Sequence, residues 1–285
     1  RKEALEEVAD DCRALGSNVI VVPTDVRNAN EVQHLAVTAA GINGVIDVWI
    51  NNAGVLAAGA LEDVPPAVSE QVIITNLVGY INGAHEVLPY FKKQGHGILF
   101  NNISVGGWMP TPYATAYTAS KFGLRGFSEA LKGELISFRD IHVVDLYPGF
   151  LDTPGIKHAA NYTGKVIKPA PPVYDPLKVG RAIARLIMRP AERKTIGAAS
   201  GFLRLGYSLF PRVTRNITAG FIRKYLDQAE PIARTPGNVL TPVEFGTGIH
   251  GSTGGTRPAI GIKSLLLAVV AVPLIYSLVS KNNGR

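Results

Sequence analysis

Cysteine is almost absent: Cys12 is the one thiol in 285 residues, so no internal disulfide can staple this chain and the disulfide-dense mini-protein class is excluded. Charge is sparse as well. Charged residues make up 18% against 46% hydrophobic, a balance that excludes an intrinsically disordered chain. The 30 Gly follow no three-residue period, which removes a collagen-like repeat. No apolar run follows Arg1, so no secretory signal is read there. What is present is length enough to bury a sizeable core, as one large α/β domain or one domain with an appendage. The formal charge of +7 is unevenly placed: residues 201–285 hold ten Lys/Arg and three Asp/Glu, and the first 200 residues are neutral with 19 of each sign. A basic tail behind a neutral domain offers no platform for nucleic acid. The six His are scattered without metal-ligand spacing, so no metal site is expected.

Along the chain, apolar spacing at Ala4, Leu5, Val8, Ala9 and Cys12 predicts a helix over 1–15 that stops at Gly16. A β-branched run at 18–23 reads as a buried strand, followed by a helix at 31–40 and a second strand at 46–50. Two helices at 68–82 and 85–93 precede a third strand at 97–103. A long helix from 114 to 138 leads to a fourth strand at 141–147, which Pro148-Gly149 ends. A helix at 176–188 and a short strand at 195–196 close the domain. Strands alternating with helices make βαβ units, hence a doubly wound parallel sheet with helices on both faces. In such a sheet ligands sit beyond the carboxyl ends of the strands. The polar residues there are Asp25, Asn52, Ser104 and the Pro148-Gly149 pair.

Tyr117 and Lys121 stand four apart on the long helix, so a cation can lie beside the phenol on one face. An ammonium there favours the phenolate and lowers a pKa that is otherwise near 10. Ser104, at the end of a strand, can hydrogen-bond the same substrate oxygen, and Asn76 can hold a water that relays a proton from Lys121. A Tyr-x-x-x-Lys pair alone is weak. The ordered set Thr24-Asp25-Val26, Asn51-Asn52-Ala53-Gly54, Asn76, Ser104, Tyr117-Thr-Ala-Ser-Lys121, and Pro148-Gly149 followed by Thr153 resembles the short-chain dehydrogenase/reductase family over residues 1–197.

The resemblance implies a Rossmann-type fold and hydride transfer between NADP(H) or NAD(H) and a hydroxyl or carbonyl group. It makes Tyr117 the general acid/base, with Lys121 lowering its pKa and binding the nicotinamide ribose. Ser104 would orient the substrate, and Asn76 would support the water relay. Asp25 and Val26 would flank the adenine, Asn52, Ala53 and Gly54 the adenosine ribose, and Pro148, Gly149 and Thr153 the nicotinamide amide. The family's Gly-rich phosphate turn between its first strand and helix does not precede Arg1, so the sequence reads as lacking the first βαβ unit. Gly246-Thr-Gly248-Ile-His-Gly251 matches G-x-G-x-x-G, but follows the catalytic segment and leads into no helix, so it is not read as a phosphate loop. Arg1 lies near the expected adenosine ribose, and a basic residue there favours NADP(H) over NAD(H).

Three units are expected: a catalytic domain over 1–200, a basic, aromatic and then Pro/Gly-rich extension over 201–262, and an anchor over 263–281. The extension is read as substrate lid, membrane-surface helices or plain structural cap, with nucleic acid least favoured. Residues 264–280 form a 17-residue run without charge between Lys263 and Lys281. A helix of that length spans roughly 25 Å, the short end of a bilayer core. The run reads as a C-terminal transmembrane anchor with the catalytic domain on the cytoplasmic side, or else as a buried or dimer-contact helix of a soluble cytoplasmic enzyme. The implied substrate is a lipophilic alcohol or ketone, and Trp108 and Met109 are candidates for its pocket. The family resemblance also suggests a homodimer or homotetramer. A binding or scaffold protein of the same fold without catalysis, or a fragment without activity, is the alternative.

Overall fold

The computed structural model describes residues 1–246 and 248–251. Helix α1 (Lys2–Ala14) and helix α2 (Ala29–Asn43) precede strand β1 (Val48–Asn51) and the two-residue strand β2 (Ala57–Ala58). Helix α3 (Pro66–Ile73) continues through a π-turn (Ile74–Val78) into α4 (Gly79–Gln94), and strand β3 (Gly97–Asn102) follows. Helix α5 (Thr115–Glu134) leads to β4 (Ile141–Pro148), then to α6 (Gly155–His158) and the short β5 (Ala160–Asn161). Helix α7 (Leu177–Met188), β6 (Arg193–Ile196), α8 (Ala198–Leu209) and α9 (Pro211–Gln228) complete the regular elements.

The main sheet has the order β1-β3-β4-β6 with every pairing parallel, and β2 pairs with β5 beside it. Side chains of β3 and β4 alternate between two buried faces. Leu99 and Val143 pack with Val87 and Phe91 of α4 and Leu131 of α5. Phe100, Val144 and Leu146 pack with Leu186 of α7. A parallel sheet covered on both faces needs apolar residues at nearly every position of its central strands, and this is why those strands stand out in the sequence. Gly97 has its own reason: a Cβ there would run into the ring of Phe91.

Polar groups also cross this core. Asn51 Nδ2 donates to Asn101 Oδ1 (3.0 Å), and Asn101 donates to Ser128, which bonds to Asp145. Lys132 Nζ closes the chain at 2.6 Å from Asp145 Oδ2. Asp145 is fully buried, and burial raises its pKa despite the opposing lysine and hydroxyl.

Three expectations are corrected. Residues 18–23 carry no ladder and are not a strand. An apolar cavity of about 380 Å³, lined by Val22, Val48 and Ile50, separates them from β1, and a ladder requires strands about 4.8 Å apart. The helices expected at 68–82 and 85–93 form one run with a π-turn inside it, because Gly83 serves close packing rather than chain reversal: a Cβ there would strike Asn51 and Trp49. The long helix ends at Glu134, and residues 135–138 turn back towards β4, with Phe138 N donating to Leu135 O at 2.8 Å. The basic aromatic stretch after residue 200 is a pair of helices, α8 and α9. The segment after α9 is mostly irregular and joins β5 through the Asn161–Thr235 bridge. The run at 264–280 lies outside the described residues. Among the described residues no helix is long and apolar enough to cross a membrane.

Candidate active site

Strand ends and the first turns of α5 meet at one edge of the sheet. Ser104 follows β3 with φ 92°, a left-handed conformation uncommon for a residue with a side chain. It is held there as the cap of the short turn Val105–Gly107, its hydroxyl accepting from Gly106 N at 3.2 Å. Tyr117 and Lys121 lie one turn apart on α5, and the Ser104 hydroxyl interacts with the Tyr117 phenol. Lys121 Nζ lies 5.7 Å from the Tyr117 ring centroid and 5.2 Å from that of Tyr80.

These groups line a cavity of about 330 Å³. Its lining includes Asn52, Gly54, Asn102, Ser104, Tyr117 and Lys121, together with Pro148, Gly149 and Thr153. Its apolar wall comes from Leu56, Val105, Met109, Leu151, Ile156 and Pro169. A second cavity of about 390 Å³ adjoins it and holds Arg1, Asp25, Val26, Arg27, Ala53 and Gly54. Gly54, Val55 and Asn238 line both. The structure thus brings Asn52, Gly54, Ser104, Tyr117, Lys121, Pro148, Gly149 and Thr153 together in one cavity, and Asp25, Val26 and Ala53 in its neighbour.

Asn76 stands behind the wall. It is fully buried in the π-turn, and its Oδ1 accepts from Val55 N at 2.8 Å. Its Nδ2 donates to Val55 O at 2.9 Å and to Ser120 Oγ at 3.2 Å. The amide donors are filled, so the structure places this side chain as a strut for the backbone beside Gly54. Asp25 is likewise engaged, its carboxylate paired with Arg27 at 2.6 Å. Arg1 donates to Val243 O at 2.6 Å in the wall of the second cavity.

The electrostatics differ from the sequence expectation. Burial raises the Tyr117 pKa, partly offset by Ser104, where a lowering by Lys121 was expected. Desolvation instead acts on the lysine, lowering Lys121 to about 7. Its ammonium has one hydrogen-bond acceptor among the described residues, Asn102 O at 3.1 Å. Asn102 Oδ1 is buried without a partner among the described residues. Lys121 and Asn102 both line the cavity, and the spare donors on the lysine fit a ligand rich in hydroxyl groups such as a nucleotide ribose.

Asn102 was not singled out from the sequence, although its place two residues before Ser104 at the end of a strand was a usable signal. Asn238 arrives from a segment more than a hundred residues downstream of Lys121, and no local pattern could place it. Of the two pocket candidates, Met109 lines the cavity and Trp108 does not. The guanidinium groups of Arg125 and Arg204 each lie 4.0 Å from the centroid of the Trp108 ring.

A family model described as short chain dehydrogenase matches residues 1–162. The chain is 29% identical over 254 residues to the uncharacterized oxidoreductase YxnA of Bacillus subtilis, covering 87% of this chain and 70% of that protein. It is 29% identical over 170 residues to estradiol 17-beta-dehydrogenase 11 of Macaca fascicularis, covering 59% of this chain and 57% of that one. Against 3-ketodihydrosphingosine reductase of Bacteroides thetaiotaomicron the identity is 38% over 135 residues, 47% of this chain and 50% of the relative. The chain therefore spans about half the length of the last two relatives. A solved short-chain dehydrogenase from Streptomyces avermitilis superposes with a TM-score of 0.66 at 24% identity, over 79% of this chain and 86% of that one. That superposition shows the Rossmann-like α/β fold.

Proposed function

From the premise that the chain belongs to the short-chain dehydrogenase family, we propose that it serves an NAD(P)(H)-dependent oxidoreductase that interconverts a ketone and an alcohol on a lipophilic substrate. One observation carries the reading: Ser104, Tyr117 and Lys121 converge on a single cavity whose lining is otherwise largely apolar. Relatives named for estradiol and for 3-ketodihydrosphingosine support an apolar skeleton bearing oxygen.

Bound NAD(P)(H) supplies or accepts the hydride. The protein's part is to position groups and move a proton. Burial keeps the Tyr117 phenol protonated at neutral pH, which suits it to donate that proton to a substrate carbonyl oxygen during reduction and to take it back in the reverse direction. The Ser104 hydroxyl, already beside the phenol, holds the same oxygen. Lys121, which burial brings to a pKa of about 7, would restore the proton to Tyr117. Its spare donors, with Asn102, would hold ribose hydroxyls. Asn52 and Gly54 extend that surface, Thr153 with the backbone at Pro148 and Gly149 would hold the nicotinamide amide, and Asp25, Val26 and Ala53 would line the adenosine side. A preference for NADP(H) over NAD(H) rests on Arg1 in the wall of the second cavity.

The test is oxidation of NADPH and of NADH with a panel of long-chain and polycyclic ketones, in protein containing these 285 residues. Tyr117→Phe is expected to lower turnover by about 10²- to 10⁴-fold while nucleotide binding, read by titration, persists. Turnover unchanged by this substitution would overturn the role of Tyr117. Equal kcat/KM with NADPH and NADH would overturn the NADP(H) preference.

A further inference from the structure

The hairpin of α8 and α9 has a surface that catalysis does not use. Phe202, Leu205 and Leu209 fall at i, i+3 and i+7 on α8, and all three are exposed, at 42%, 54% and 62%. Ile217 and Phe221 repeat this on α9 at 38% and 51% exposure, with Lys224 on the same stripe. The two helices carry five Lys/Arg and one acid, Asp227. Arg204 turns inward onto Trp108. Arg212, Arg215, Arg223 and Lys224 are exposed, and among the described residues none has a carboxylate in ion-pair range.

An apolar stripe alone would fit several partners. Lys224 shares the stripe and Arg212, Arg215 and Arg223 stand across the exposed surface of α9, and four unneutralised cations on one hairpin call for an anionic partner, which the uncharged run at 264–280 cannot supply and a like-charged second copy would repel. Basic helices with exposed aromatic and aliphatic residues match the interface of an anionic bilayer, where cations meet headgroups and apolar side chains enter the acyl boundary. We infer that the α8–α9 hairpin is a docking surface for an anionic lipid bilayer. The hairpin also touches the cavity wall, with Thr218 Oγ1 at 4.0 Å from Met109 Sδ, so docking would bring the cavity near the lipid. The inference stands apart from the proposed reaction, since vesicle binding needs neither nucleotide nor turnover.

The test is flotation of the full chain with vesicles of phosphatidylcholine alone and of phosphatidylcholine with 30 mol% (about one lipid in three) phosphatidylglycerol. Expected is binding at least about tenfold stronger to the anionic vesicles, reduced by salt. Replacing Arg212, Arg215, Arg223 and Lys224 with Gln should remove that preference. Leu209→Ser with Phe221→Ser should weaken binding to both vesicles. Phe221→Trp should gain fluorescence that brominated lipid quenches beyond the wild-type signal, a readout independent of how the other variants fold. Absence of wild-type binding overturns the inference. So does binding that all these variants leave unchanged, which would place the contact elsewhere in the chain. Loss of self-association with vesicle binding intact would make the hairpin a contact between copies and would overturn it as well.

Discussion

Lys121 illustrates how little a side chain's identity says about its charge. The sequence pattern makes it a cation that activates Tyr117, but the structure buries it against Tyr80 and Tyr117, with one acceptor among the described residues. Its pKa therefore falls from 10.5 to about 7. In the unfolded chain the lysine keeps its proton until about pH 10.4, whereas the folded chain sheds it above pH 7. The unfolded state thus binds more protons between these limits, and stability rises with pH across them. Lys121→Met should remove that rise, flattening the slope by up to about 1.4 kcal/mol per pH unit. Urea-unfolding midpoints of the chain without nucleotide, at pH 7 and pH 9, measure it; a variant slope equal to the wild type's would show that Lys121 is charged when buried. Lys121 could be found from sequence because it lies one helical turn from Tyr117, and Ser104 because it stands just past the end of a strand. The satisfied amide of Asn76 could not, because its partners Val55 and Ser120 lie 21 and 44 residues away.

Among the elements, α8 is held by contacts that no helical period announces. Arg204 lies 4.0 Å from the Trp108 ring centroid, Arg125 lies at the same distance, and Tyr147 packs at 5.5 Å from it. Trp108 belongs to the loop just after Ser104, so the hairpin is tied directly to the turn that follows β3. A cation–π contact of this kind contributes roughly 0.5–2 kcal/mol. Arg204→Gln should accordingly speed amide hydrogen exchange across Ala198–Leu209 by about 2- to 30-fold, with the strands unchanged. Exchange equal to wild type would show that other contacts hold the helix. The core helices and strands were legible because their periods report burial on one stripe or two faces. The π-turn was not, since one extra residue in a turn leaves the apolar pattern almost intact.

Across the whole molecule, charge is divided between a neutral α/β body and a basic C-terminal third. Within the body, the network from Asn51 through Asn101, Ser128 and Asp145 to Lys132 joins β1, β3, α5 and β4. Its energetic weight follows from Asp145, whose charge is buried and relies on one lysine. Lys132→Met would strand that charge and should cost about 3–5 kcal/mol at neutral pH. Burial raises the carboxyl's folded pKa above its unfolded value, so this loss should shrink as pH falls and the folded carboxyl takes up its proton. Thermal denaturation at pH 7 and pH 4.5 checks both statements, and a loss independent of pH would assign the cost to packing instead. From the sequence followed the alternation of strands and helices, the parallel sheet, the edge at which Ser104 and Tyr117 meet, and the segregation of charge, because each depends on neighbours within a turn or strand or on composition alone. Only the folded chain decided that residues 18–23 pair with no strand, that Tyr117 titrates high and Lys121 low, that Asn76 braces a backbone, and that the four α9 cations face solvent with no carboxylate in ion-pair range among the described residues. Those outcomes depend on which distant groups share a cavity and how far water is excluded from them, and neither is encoded in local spacing.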